Sequence, residues 1–72
     1  MHFDHLITII KERRETLNVT QDMLAEISGV GLRTLKAFES GKSNPTAETL
    51  SRIADALGLE LTFRVKKMGA DT

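Results

Sequence analysis

One stretch near the middle of the chain decides the fold: TQDMLAEISGVGLRTLKAFESG, residues 20–41. Its first residue, Thr20, is of a type that caps helix N-termini, and apolar side chains follow it at helical spacing. Gly29 and Gly41 are of the type that accepts a left-handed backbone conformation without a side-chain penalty. The stretch therefore predicts two short helices, the first ending at Gly29 and the second ending before Gly41.

The side chains of these two helices divide into an inward and an outward set. Leu24 and Ala25 are the inward residues of the first helix, and Val30 closes the corner after the turn. Leu35 and Phe38 lie three residues apart on the inward side of the second helix. The residues left facing outward on the second helix are Leu32, Arg33, Lys36, Ala37 and Ser40.

Two further helices flank this pair. Residues 2–17 place apolar residues at helical spacing, and the mixed charges of residues 11–15 indicate a solvated face. The apolar face of this first helix consists of Phe3, Leu6, Ile10 and Leu17, flanked by Ile7 and Ile9. Thr46 caps a last helix that closes at Gly58. Its inward residues are Leu50, Ile53, Ala54 and Leu57. The sequence thus predicts a mainly α fold with four helices.

After Gly58 the apolar residues recur with a period of two, which predicts a half-buried strand over residues 59–66. The apolar face of the strand consists of Leu59, Leu61, Phe63 and Val65. Because the chain offers no second strand, we expect antiparallel pairing with the same segment of another copy in a two-fold homodimer. The alternative is an extended arm docked on its own helices. The chain then divides into a helical domain at residues 1–58, a dimerisation strand at 59–66 and a flexible tail at 67–72.

The composition indicates one globular domain, because the 72 residues are 40 % hydrophobic and 28 % charged and include one proline. The absence of cysteine excludes disulfides and thiolate metal sites. The sequence shows no signal peptide and no apolar run of the ~20 residues needed to span a bilayer. These features favour a cytoplasmic protein without membrane contact.

The residue types also argue against an enzyme. The chain has no cysteine, tyrosine or tryptophan, and it offers no nucleophile paired with a base and no glycine cradle for phosphate. His2 and His5 stand one helical turn apart, but with Asp4 they form an incomplete set of metal ligands. We therefore expect no catalytic residue, no metal and no cofactor.

Charge is distributed unevenly along the chain, although ten basic and ten acidic residues cancel. Within residues 31–45 the ionisable side chains are Arg33, Lys36 and Lys42 against Glu39 alone. If Glu39 turns inward, the exposed face is wholly basic, as a nucleic-acid contact requires. A helix that enters the major groove of DNA must also keep its outer face free of core packing. The second helix of the central stretch meets both conditions.

The outward side chains of that helix have the chemistry to read base edges. Arg33 can donate two hydrogen bonds to guanine, and Lys36 can reach guanine or a phosphate. Leu32 and Ala37 can contact thymine methyl groups. We therefore predict that these four residues read the bases of double-stranded DNA.

Several short pieces between residues 10 and 59 support this interpretation as a set. They are Thr20-Gln21, Leu24-Ala25, Gly29-Val30, Glu39-Ser40-Gly41-Lys42, Asn44-Pro45-Thr46, and Leu50, Ile53 and Ala54 before Ala56-Leu57-Gly58. With these pieces the chain resembles the Cro and phage-repressor (Xre) type of helix-turn-helix family, which has a lambda-repressor-like fold. The resemblance implies phosphate contacts by Thr20, Gln21, Thr34, Ser40, Lys42 and Asn44. It also implies an internal ion pair between Arg14 and Glu39. Gly31 departs from the family pattern, because a serine or threonine usually caps the reading helix.

The alternating segment after Gly58 is similar to the strand through which small antitoxins of the HipB kind dimerise. That similarity implies a sequence-specific autorepressor on a palindromic operator, with a HipA-like kinase toxin as a further partner. The alternative is a stand-alone Xre-type regulator without a toxin. Either role is expected in the cytoplasm, on the nucleoid.

Overall fold

The computed structural model describes residues 4–66, which contain four helices. Their bounds are α1 Asp4–Thr16, α2 Gln21–Ser28, α3 Leu32–Glu39 and α4 Ala47–Ala56. No strand occurs within the described range. Not one of these helices has the length and apolar character that crossing a membrane requires. The prediction of a mainly α fold with four helices is confirmed, while His2, Phe3 and the predicted tail at residues 67–72 lie outside the described residues.

The first helix, α1, ends at a turn in which Asn18 has a left-handed backbone with a φ of 58°. Asparagine tolerates this conformation better than most residues that carry a side chain. On the apolar face of α1, Ile10 is buried, and Leu6 and Ile7 are partly buried against the core. The expectation that Leu17 shares this face is wrong. Leu17 is 42 % exposed, because it lies in the turn and no longer follows the helical spacing.

The corner between α2 and α3 is built by the residues that the sequence singled out. Thr20 caps α2, since its Oγ1 accepts a hydrogen bond from the Met23 backbone N–H at 3.1 Å. Gly29 ends α2 with a φ of 74°, and its N–H donates to the Ala25 carbonyl at 3.1 Å. Val30 is buried in the core immediately after the turn. The corner is therefore held by a cap, a left-handed glycine and an apolar plug.

The ends of α3 and α4 follow the same local rules. After α3, Lys42 donates its N–H to the Ala37 carbonyl at 2.9 Å, and the preceding glycine has a φ of 78°. After α4, Leu59 donates to the Ala54 carbonyl at 2.8 Å, again behind a left-handed glycine. Both ends show the glycine-type C-terminal cap. Thr46 caps the start of α4 through its hydroxyl.

A single apolar core joins the helices. Its buried members are Ile10, Leu24, Val30, Leu35, Phe38, Ile53 and Leu57. In the described part of the chain, α2 packs against α3 and α4, and α1 packs against α3. Because Leu35 and Phe38 turn the inner side of α3 into this core, its outer side is left free.

The segment after α4, residues 59–66, is called the arm below. It forms neither helix nor strand. Leu59 packs partly against the core and Leu61 is 44 % exposed, whereas Phe63 and Val65 are 100 % and 97 % exposed. The alternative in which the arm docks on its own helices therefore holds only as far as Leu61. The strand itself stays a prediction, because a strand needs a second strand as its hydrogen-bond partner.

Candidate nucleic-acid interface

The outer surface of α3 carries the four side chains that the sequence predicts to read bases. Arg33 and Lys36 are exposed, and Leu32 and Ala37 are half-buried. Their spacing places them on one side of the helix. Among residues 4–66 neither cation makes a salt bridge or a side-chain hydrogen bond. Both are therefore free to donate to a ligand from solvent.

The only acidic residue of α3 is removed from that surface by a buried ion pair. The Glu39 carboxylate accepts hydrogen bonds from Arg14 Nε at 3.0 Å and from Arg14 Nη2 at 2.9 Å. The side chains of Glu39 and Arg14 are 3 % and 15 % exposed. Arg14 Nη1 also donates to the Val19 carbonyl at 3.1 Å, which holds the guanidinium against the turn after α1. With Glu39 inside, the charged side chains left exposed on α3 and the following loop are Arg33, Lys36 and Lys42.

A third donor reaches the same carboxylate from α2. Gln21 Nε2 donates to Glu39 Oε1 at 2.8 Å. This bond ties the N-terminus of α2 to the C-terminal end of α3. The three groups form a network, defined here as the Arg14–Gln21–Glu39 network, in which every contact involves the carboxylate of Glu39. The resemblance implies a phosphate contact for Gln21, whereas its bond to Glu39 was not predicted.

The network brings together most of the residues that the sequence predicts to contact phosphates. Thr20 and Gln21 lie at the N-terminus of α2, beside an open cleft of about 510 Å³ that Arg14 and Asn18 also line. Ser40 follows Glu39 directly, and it is exposed like Lys42 and Asn44 in the loop before α4. The two groups therefore flank the same end of α3. The N-terminus of α2 adds the partial positive charge and unpaired N–H groups of a helix start.

Thr34 is not part of this arrangement. It lines a second cleft, of about 290 Å³, on the side of α3 that faces α4, together with Gly31, Thr49 and Arg52. Gly31 precedes α3 without a side-chain cap, and a Cβ built there would find no atom nearer than Thr34 Oγ1 at 4.0 Å. The start of α3 is thus unobstructed.

Three positions were missed or misread from the sequence. Asn18 lines the cleft beside α2, and only its place at a helix end hints at this. Arg52 lines the second cleft and forms an exposed ion pair with Glu48 at 2.8 Å. Arg13 does not belong to a solvated face as expected, because it is half-buried and its Nε donates to the Leu57 carbonyl at 2.9 Å. No group of three or more potential metal ligands is present in the part of the chain that the structure describes.

Four short helices, with α2 and α3 joined at a tight corner and α3 free on its outer side, define a helix-turn-helix domain. The sequence profile of the helix-turn-helix family HTH_3 matches residues 10–63. The chain belongs to this family, the Xre and Cro type, which is a family of DNA-binding transcription regulators.

Several relatives are also described as transcriptional repressors or regulators. The cryptic phage CTXphi transcriptional repressor RstR of Vibrio cholerae is 43 % identical over 72 % of this chain and 50 % of its own length. An uncharacterized HTH-type transcriptional regulator of Methanothermobacter thermautotrophicus is 45 % identical over 74 % of this chain and 77 % of its own length. One from Mycobacterium tuberculosis is 44 % identical over 69 % of this chain and 36 % of its own. The chain thus spans about half the length of RstR, and no solved structure gives a significant match.

Proposed function

We propose that the chain is a sequence-specific transcription repressor that acts as a dimer on a palindromic operator. One observation carries this proposal. The outer surface of α3 presents Arg33 and Lys36 without partners in the described chain, while Glu39 is withdrawn into the Arg14–Gln21–Glu39 network. A free basic helix face on a helix-turn-helix domain fits the major groove of DNA.

In the proposed complex the outer side chains of α3 read the base sequence. Arg33 donates two hydrogen bonds to a guanine, and Lys36 reaches a guanine or a phosphate. Leu32 and Ala37 contact thymine methyl groups, for which half-buried apolar side chains are suited. These four contacts supply the sequence preference of the protein.

Phosphate contacts fix the domain on the duplex but carry no sequence information. On one side they come from Thr20 and Gln21. Because Gln21 Nε2 is engaged by Glu39, the contact at this position relies on the helix N-terminus and its backbone N–H groups. At the same C-terminal end of α3, the following loop contributes Ser40, Lys42 and Asn44. Thr34 makes a separate contact from the side that faces α4.

The proposed dimer forms through the arm, in which Phe63 and Val65 are almost fully exposed. A two-fold dimer places two copies of α3 on the same face of the duplex. The operator is then an inverted repeat whose half-sites lie about 34 Å, one helical turn, or a multiple of it apart. This role is exercised in the cytoplasm, on the nucleoid.

Two versions of the role differ in their protein partner. In the first, the dimer is a HipB-like antitoxin that also binds a HipA-like kinase and represses their shared operon. The alternating apolar residues of the arm, which resemble the HipB dimerisation strand, support this version. In the second, the dimer is a stand-alone regulator, and the similarity to a phage repressor supports this version. Size-exclusion chromatography with the purified product of the adjacent gene distinguishes them, because only the antitoxin elutes as a stable complex.

The base-reading assignment is tested with the Arg33→Ala variant. A DNA site is first selected from a random duplex library with the wild-type protein, and binding is then measured by fluorescence anisotropy. The dimer loses one bidentate contact in each half-site, so binding to the selected site weakens by roughly 5- to 150-fold for each of the two half-sites. Preference at one base pair of each half-site should relax at the same time.

The matched control is Lys11→Ala, which removes one positive charge from an exposed position on α1. We expect this control to bind the selected site within about twofold of the wild type, because Lys11 makes no contact in the proposed complex. Equal losses in the two variants, or no loss in Arg33→Ala, would show that the outer side of α3 does not read DNA.

A further inference from the structure

The arm leaves its own domain at a defined point. Its first residue is held by the bond from the Leu59 N–H to Ala54, and Arg13 binds the Leu57 carbonyl just before it. Leu59 and Leu61 then line an apolar groove of about 280 Å³. The helix residues that line this groove are Leu6, Ile9, Ile10, Leu50 and Ala54. The next two apolar residues of the arm, Phe63 and Val65, extend past the groove into solvent. The arm and the groove beside it thus carry apolar surface that the single chain leaves uncovered.

The residue pattern of the arm restricts how two copies can pair. In an antiparallel pair about a two-fold axis, residues at equal distances on either side of the central residue face each other. If this axis passes between two residues, each apolar residue faces a polar one. The apolar residues of the two copies share one face only if the axis passes through a residue. The residues that can occupy the centre with at least five residues of each arm overlapping are Leu61, Thr62, Phe63 and Arg64.

Charge and the pairing of apolar residues together distinguish these four arrangements. An axis at Arg64 places two arginines directly opposite each other, which is unfavourable. An axis at Leu61 places Val65 opposite Leu57, which lies before the arm and is buried in the core of its own copy. An axis at Phe63 pairs Glu60 with Lys66 but leaves Leu59 without a residue of the other arm opposite it. Only the axis at Thr62 places every apolar residue of one arm opposite an apolar residue of the other arm, and it also pairs Glu60 with Arg64 on both sides.

We propose, on the basis of the dimer proposed above, that two arms pair antiparallel about Thr62 and that each covers the groove of the other copy. In this register Phe63 of the second copy lies opposite Leu61, at the edge of the groove. Val65 of the second copy lies opposite Leu59, which already packs against the core. The groove between α1 and α4 is therefore completed by a second copy of the same chain.

The register is tested by disulfide formation, because the natural chain contains no cysteine. In the full chain, Thr62→Cys places two thiols directly opposite each other, with Cα atoms about 4.5 to 5.5 Å apart. This separation lies within the range that a disulfide spans. Thr62 is exposed, so its replacement leaves the core intact. Under mild oxidation we expect Thr62→Cys to form a covalent dimer, seen on a non-reducing gel.

Two control variants are needed. One tests for pairing in a different register, and the other measures cross-linking by random collision. Phe63→Cys places the two thiols on diagonal positions about 7 to 8 Å apart, and we expect it to cross-link at least about tenfold more slowly. Lys66 lies on the same polar face as Thr62 and is also exposed, but in the proposed register the two copies of Lys66→Cys are distant from each other. Faster cross-linking of either variant than of Thr62→Cys overturns the register.

Charge reversal provides an independent test. Glu60→Lys and Arg64→Glu each oppose like charges twice per dimer, so we expect either to raise the dimer dissociation constant by about tenfold. The double variant restores the pairs and should return within about threefold of the wild type. No rescue by the double variant contradicts the register.

Analytical ultracentrifugation of the wild-type chain separates failure of the register from failure of the dimer. A dimer whose Thr62→Cys variant does not cross-link contradicts the register alone. A monomer at all concentrations contradicts the dimer of the proposed function and this register with it. Cross-linking of Thr62→Cys above the level of Lys66→Cys supports both.

Discussion

Replacing Arg14 by methionine tests the Arg14–Gln21–Glu39 network directly. In the wild type the Glu39 carboxylate accepts three hydrogen bonds, two from Arg14 and one from Gln21. The Arg14→Met variant keeps a side chain of similar length but removes the charge, both donors to Glu39 and the donor to the Val19 carbonyl. Glu39, whose side chain is 3 % exposed, is left with Gln21 as its one remaining donor.

The expected cost follows from the burial of the pair. Removing one partner of a buried ion pair costs about 3 to 5 kcal/mol, because the other charge remains buried without compensation. The side chain of Arg14 is 15 % exposed, so water can reach part of the vacated space, and we expect the low end, about 3 kcal/mol. A domain of this size has a free energy of unfolding of roughly 4 to 11 kcal/mol. The melting temperature should fall by about 12 to 24 °C.

The assay is urea unfolding followed by circular dichroism, at one fixed protein concentration because dimerisation adds to stability. The double variant Arg14→Met with Glu39→Met should recover to within about 1 kcal/mol of the wild type, since apolar residues replace buried ion pairs at little cost. The control is Arg52→Ala, which breaks the exposed pair with Glu48 and should cost less than about 0.5 kcal/mol. The reasoning is refuted if Arg14→Met costs no more than this control, or if the double variant is less stable than Arg14→Met.

Three further predictions address the DNA contacts and the corner. Lys42→Ala should weaken binding to all DNA sequences alike and reduce the slope of log K against log salt by about 0.9 for each bound copy, or about 1.8 for the dimer, measured by anisotropy at several salt concentrations. An unchanged slope would contradict a phosphate contact. Gly29→Ala should lower the free energy of unfolding by about 1 kcal/mol, because its φ is 74°. A Cβ there would meet its nearest atom, Arg52 Nη1, at 3.7 Å, so backbone strain alone is expected, and a variant as stable as the wild type in urea would contradict this. Gly31→Ser should raise the free energy of unfolding by a few tenths of a kcal/mol, because serine adds a side-chain cap to α3 and the φ of −60° suits any residue. A loss of stability in urea would contradict this prediction.

The helix ends could be read from the sequence because their signals are local. Thr20 and Thr46 each bond to a backbone N–H three residues later, and Gly29 and Gly58 each take a left-handed backbone conformation. Such effects depend on a few neighbouring residues, so the residue types alone indicate them. The core residues followed for a similar reason, because helical periodicity separates an inner from an outer side.

The remaining features depend on contacts between distant parts of the chain. Arg13 and Arg14 are adjacent arginines on α1, yet one binds Leu57 and the other binds Glu39. A helical pattern shows that neighbouring residues point in different directions, but it does not show what each direction meets. Leu17 was misassigned for a related reason, because it lies beyond the last helical residue and the periodicity no longer applies there. The arm could not be resolved from its pattern alone, since the same alternation suits a paired strand and a docked extension.

The network around Glu39 gives the proposed DNA complex a physical basis for its register. A 2.8 Å hydrogen bond between Gln21 and Glu39 joins the N-terminus of α2, which we propose contacts phosphates, to α3, which we propose reads bases. Arg14 fixes the same carboxylate to α1, so three helices meet at one buried group. A shift of α2 on the phosphate chain must therefore move α3 in the groove, or break a bond to a buried charge. Because a displacement of about 1 Å is enough to disrupt a bidentate contact, the predicted reading by Arg33 depends on a residue that touches no DNA. The loss of base preference in Arg14→Met should accordingly exceed its loss of non-specific affinity, when both are measured at a temperature where the variant is folded.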